Sequence, residues 1–126
     1  MFTFSQRSVN NLKGVHPDLV KVVYKALEYT PIDFVITEGL RTKEKQASLV
    51  ASGASRTTKS RHITGHAIDF AALLNREIRW DWPLYVKIAD AFKRAGNDLN
   101  IPIEWGGDWT SFKDGPHIQL PWKQYP

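Results

Sequence analysis

The sequence predicts an α+β fold, a small antiparallel sheet packed by about three helices. Three observations lead there. Two segments place apolar residues at helical spacing, two short segments alternate with a period of two, and the turns between them carry Gly or Pro. The chain has 126 residues, of which 42% are hydrophobic, so residues 1–126 read as a single domain with one core and room for a cleft.

The elements follow in order. "HPDLVKVVYKALEYTP" repeats Leu19, Val22, Val23, Ala26 and Leu27 on one face, with Pro17 able to start a helix and Pro31 to stop it. "IDFVITEG" then reads as a short buried strand closed by Gly39. A second helix is predicted from about Thr42 to Ser52, with Gly53 as its stop. After the polar loop "GASRTTKSRHITG", the segment "HAIDFAA" alternates, so Asp69 shares a strand face with Ala67 and Ala71 while Ile68 and Phe70 take the other. Leu84, Ile88, Ala91, Phe92 and Ala95 predict the longest helix, from Pro83 to about Asn97. "IPIEWGGDW" and "GPHIQL" read as two strand-like pieces beside glycine turns, with His117 and Gln119 on one face and Ile118 and Leu120 on the other.

Composition removes several kinds of chemistry. With no cysteine, thiolate metal sites, disulfides and cysteine nucleophiles are excluded, and any metal must be held by His, Asp or Glu. No apolar run approaches the roughly 20 residues of a membrane span, so a soluble globular protein without stable membrane insertion is expected. "MFTFSQRSVNNLKG" lacks the basic and apolar regions of a signal peptide. The net charge is +4 and the pI about 9.4, which suits an anionic wall polymer as well as nucleic acid. No nucleic-acid-binding motif accompanies the charge, so no nucleic-acid partner is expected.

Two of the four histidines fall in "SRHITGHAIDFAA". His62 and Asp69 lie seven positions apart across a glycine, a strand-borne pair rather than the helical spacing of H-E-x-x-H sites. His117 has the face parity that a third ligand needs. His, Asp and His leave a fourth tetrahedral position open, as in catalytic zinc sites. Spacing does not choose between His62 and His66. Asp114, three residues before His117 across "DGP", could act as general base, with Glu104 and Asp108 as rivals.

"SRHITGHAID" resembles the S-x-H-x-x-G-x-A-x-D signature of zinc peptidases that cut D-amino-acid-containing peptides of bacterial cell walls, the D-alanyl-D-alanine carboxypeptidase and dipeptidase group. Ser60, His62, Gly65, Ala67 and Asp69 match it. "DGPH" (Asp114, His117) and "GLRT" (Gly39, Arg41, Thr42) are similar to two further motifs of that group, and the likeness spans about residues 12 to 122. It implies Zn2+ on His62, Asp69 and His117 at the sheet face, Asp114 as the base, Arg41 as the cation beside the oxyanion, and a lesser role for His66.

Within the group the chain most resembles phage endolysins with L-alanyl-D-glutamate endopeptidase activity, from its size, its "WGGDW" turn and its lack of a signal. That likeness implies a monomeric enzyme acting on bacterial peptidoglycan, held in the host cytoplasm until a holin releases it, with no separate wall-binding module. Trp105 and Trp109 are candidates for the cleft wall. A D-alanyl-D-alanine carboxypeptidase or dipeptidase, or a non-catalytic zinc-stabilised wall-binding module, are the alternatives.

Overall fold

The computed structural model describes residues 2–55, 57 and 59–126. Its elements are α1 (Gln6–Asn11), α2 (Pro17–Tyr29), β1 (Asp33–Glu38), α3 (Lys43–Ala51), β2 (Ala67–Leu74), β3 (Glu77–Arg79), α4 (Trp82–Leu99), β4 (Glu104–Trp105), a 3-10 turn (Gly106–Asp108) and β5 (His117–Gln119). The strands form an antiparallel sheet in the order β1-β2-β5-β4, with β3 pairing the far half of β2. The α+β expectation is met.

The predicted helices begin and end for the expected reasons. Pro17 opens α2 behind His16, whose ring accepts from Asp18 N–H. Thr42 caps α3 by accepting from Lys45 N–H at 3.1 Å. Asn100, in the left-handed conformation, closes α4.

Two elements differ from the sequence reading. The short helix α1 makes four α-helices among the described residues rather than about three. It carries no apolar stripe and owes its place to tertiary bonds: Ser8 Oγ accepts from Ile36 N–H, and Asn11 donates to the Ile36 carbonyl. Strand β3 is exposed throughout and follows a tight turn whose two central residues, Asn75 and Arg76, both have positive φ. The stretch around Trp105 forms only two residues of strand before it turns.

One face of the sheet is core. Phe34, Ile36, Ile68, Phe70 and Ile118 are at most 1% exposed and join Val22, Val23, Ile88 and Phe92 of α2 and α4 in one cluster. The opposite face carries the polar residues. Glu38 pairs with Asp69 and Asp69 with His117 in a row across three strands. In the next row Ala67 pairs with Gln119 and Gln119 with Glu104. Strand parity thus gathers the chemistry of four segments on one side of the core.

Candidate metal centre and cleft

Among the described residues, one group of His, Asp and Glu side chains has its donor atoms close enough to hold an ion: His62, Asp69 and His117, within 4.8 Å of one another. Asp69 Oδ1 lies 3.2 Å from His62 Nε2 and 3.3 Å from His117 Nδ1. A tetrahedral ion with bonds of about 2.0–2.1 Å keeps its donors about 3.3 Å apart, so these residues fit zinc. Two imidazoles and one carboxylate also form the donor set of an open, three-ligand site.

Each imidazole is held through its other nitrogen. His62 Nδ1 donates to the Gly39 carbonyl at 2.8 Å, and Arg41 N–H donates to the His62 carbonyl at 3.0 Å. The "GLRT" and "SRHITG" segments are therefore bonded to each other at the residues that matter. His117 Nε2 lies 2.8 Å from Gln119 Oε1. Gly65 shapes the turn between His62 and β2: its φ is +77°, and a Cβ there would lie 2.4 Å from the Gly14 carbonyl oxygen.

Electrostatics follow from the same contacts. Burial alone would raise the Asp69 pKa, but hydrogen bonds to His117 and His62, with their charge, hold it far below the ordinary carboxylate range. Burial presses the His117 pKa down, and the Asp69 bond and charge, the Gln119 bond and the Asp114 charge outweigh it, so the net shift is upward. Asp114 shifts upward, first through burial and then through the Asp69 charge, with His117, His62 and Arg41 opposing. Its Oδ2 lies 4.0 Å from His117 Nδ1. The glycine turn places it: Asp114 N–H donates to the Gly106 carbonyl at 3.0 Å, and a Cβ on Gly106 would come within 2.3 Å of the Asp114 carbonyl oxygen.

Arg41 faces the same space. Its Nη2 bonds Glu38 and lies 3.8 Å from Asp69 Oδ2, while Nη1 donates to Gln46 Oε1 at 2.7 Å. Gln46, 1% exposed, passes the contact on by donating to Ser55 Oγ and the Thr57 carbonyl. Arg41 Nε is buried without a hydrogen-bond partner among the described residues.

Arg41, His62, Asp69, Asp114 and His117 line a cavity of about 560 Å³ with Lys45, Lys59, Ser60, Arg61, Trp109 and Trp122. The two tryptophans singled out in the sequence part company here. Trp109 lines the cavity with its ring 5.2 Å from that of His117. Trp105 instead lies in the core, its indole N–H on the Gly115 carbonyl at 2.7 Å. The rival bases are occupied elsewhere: Glu104 accepts from Gln119, and Asp108 pairs with Lys93 at 2.9 Å. His66 bonds Thr64 and packs near His16, outside the donor cluster. Gln46 and Gln119 were not singled out from the sequence, where no spacing rule marks a buried amide.

The family model of the phage L-alanyl-D-glutamate peptidases matches residues 1–120. The chain belongs to that family. The match begins at residue 1, ahead of the likeness seen in the sequence motifs from about residue 12, and so includes α1. An L-alanyl-D-glutamate peptidase of Escherichia phage T5 is 41% identical to the chain, over 94% of this chain and 98% of the relative. A peptidase of the same description from Listeria phage A118 is 34% identical over 97% of this chain, but the match takes in only 43% of that relative. The crystal structure of the Serratia marcescens L-Ala D-Glu endopeptidase ChiX superposes with a TM-score of 0.93 at 47% identity, covering 98% of this chain and 92% of that one.

Proposed function

We propose that the chain is a phage endolysin that hydrolyses the L-alanyl-D-glutamate bond in the stem peptides of bacterial peptidoglycan as a zinc peptidase. The observation that carries the reading is the convergence of His62, Asp69 and His117 donors in a cavity that Asp114 and Arg41 also line, in a chain of the L-alanyl-D-glutamate peptidase family. His62 Nε2, Asp69 Oδ1 and His117 Nδ1 would hold the zinc. Bound there, it supplies Lewis acidity and lowers the pKa of water toward neutrality.

The chain's own residues supply the rest. Asp114 accepts the proton of the attacking water and returns it to the leaving amine of D-glutamate, a task helped by a pKa raised through burial and the Asp69 charge. Arg41 directs its guanidinium at the oxyanion of the tetrahedral intermediate, with Glu38 and Gln46 fixing its plane. Trp109 closes the wall beside His117. Residues 1–126 act as one catalytic domain and as a monomer. No helix among the described residues is long and apolar enough to cross a membrane; the endolysin reading places the protein in the host cytoplasm until a holin admits it to the wall.

The test is digestion of purified peptidoglycan with labelling of the new amino termini. D-glutamate is expected as the new N-terminus, with no free D-alanine. Accumulation of D-alanine without new D-glutamate ends would replace this reading with that of a carboxypeptidase.

A further inference from the structure

We infer that Gln119, held by Glu104, is a positioning residue that sets the tautomer of His117 and so makes Nδ1 a metal donor, an inference that rests on the zinc reading above. The argument turns on which side of the His117 ring carries the proton. On the Nδ1 side lie two carboxylates, Asp69 Oδ1 at 3.3 Å and Asp114 Oδ2 at 4.0 Å. Both draw a proton to Nδ1, and a protonated Nδ1 cannot bind a metal. On the Nε2 side the ring meets Gln119 Oε1 at 2.8 Å.

An amide can turn either end toward a ring, so Gln119 alone decides nothing. Glu104 removes the choice. As a carboxylate it only accepts, and it takes the Gln119 Nε2 hydrogen at 3.3 Å. That leaves Oε1 facing His117, which must donate from Nε2 and keep its Nδ1 lone pair free. Strand register builds the chain of bonds: Glu104 and Gln119 are direct cross-strand partners, and on its other side Gln119 faces Ala67, which has no polar side chain to compete. Gln119 is 6% exposed and His117 7%, so water has little access to replace either partner. This accounts for Glu104, a residue that sequence spacing left as a rival base.

The experiment compares the full-length chain with three variants: Gln119→Met, Glu104→Gln, and the double variant Glu104→Gln/Gln119→Glu, which reverses the polarity of the pair while still presenting His117 with an acceptor. Zinc affinity is measured by chelator competition, and the His117 tautomer by nitrogen-15 NMR of the metal-free chain at alkaline pH, where the ring is neutral. Gln119→Met is expected to shift His117 toward the Nδ1–H form and weaken zinc binding about 10- to 100-fold. Glu104→Gln should give a smaller loss, and the double variant should recover the Nε2–H form and most of the affinity. A Gln119→Met chain with the original tautomer and affinity overturns the inference; if that variant does not fold, a double variant or Glu104→Gln chain with the wrong pattern does so. Failure of the parent chain to bind zinc would instead remove the zinc reading, and the metal-free tautomer comparison would still decide the role of Gln119.

Discussion

On the sheet side of the cavity, Asp69 and His117 take their positions from a cross-strand register, whereas on the loop side Arg41 takes its position from side-chain bonds to Glu38 and Gln46. The first arrangement is backed by the core, since the residues alternating with Asp69 and His117, namely Ile68, Phe70 and Ile118, are fully buried. The second depends on one amide that reaches 11 residues along the chain to the Thr57 carbonyl. The difference separates two kinds of failure. Changes to Asp69 or His117 should remove the metal, as should loss of the loop-borne His62, while changes at Arg41 or Gln46 should leave the metal and slow the chemistry.

The largest effect is expected from replacing His62, Asp69 or His117 with Ala, each of which should abolish zinc binding and peptidoglycan hydrolysis together. Full zinc content in all three variants would break the comparison at its root. Next, Asp114→Asn should retain zinc and lose turnover by about 100- to 10,000-fold, the usual cost of a missing general base. A mild Asp114→Asn beside a crippling Glu104→Gln that keeps its zinc would move the base to Glu104.

On the loop side, Arg41→Lys keeps the charge but not the planar fork that serves Glu38 and Gln46 together. Turnover should drop about 10- to 100-fold with zinc affinity unchanged. Metal loss in this variant would erase the distinction between the walls.

The smallest effect concerns stability. Burial pushes the Glu38 pKa up, but hydrogen bonds from Arg41 and Lys45 and the charges of Arg41 and His62 hold it below the ordinary value. A depressed folded-state pKa stabilises the fold above the unfolded-state value, and that contribution is lost as pH falls through the folded one. Glu38→Gln should therefore flatten the acid limb of the thermal stability profile, as read by melting between about pH 3 and 6. An unchanged acid limb would mean that the Glu38 ion pairs add nothing to the loop-side wall.

The sequence made the sheet-side wall far more legible than the loop-side one. Alternation around Ile68 and Phe70 placed Asp69 on the polar face, and parity placed His117 with it, because strand geometry is local and periodic. Spacing left His62 and His66 open. What separates them is the bond from His62 to the Gly39 carbonyl, 23 positions away, which no local pattern encodes. The bonds of Gln46, and of Gln119 beyond its shared face with His117, are hidden for the same reason, since their partners Arg41, Thr57 and Glu104 come together only in three dimensions. Helix α1 was missed because it is held by Ser8 and Asn11 bonds to β1 rather than by an apolar stripe.

The row that pairs Glu38, Asp69 and His117 has a consequence for insertions and deletions. Adding one residue in β2 between Ile68 and Asp69 would, with the residues before it held in register, turn Asp69 to the core face and Phe70 to the polar one. A single-codon insertion there should be more harmful than most point substitutions, because it misplaces a ligand and a core side chain at once. The same insertion beside Gly53, where a side chain would meet open space, should leave the sheet intact and act instead through Ser55 and Thr57, which hold Gln46. Libraries built by inserting codons along this gene would thus trace the sheet as a series of forbidden positions.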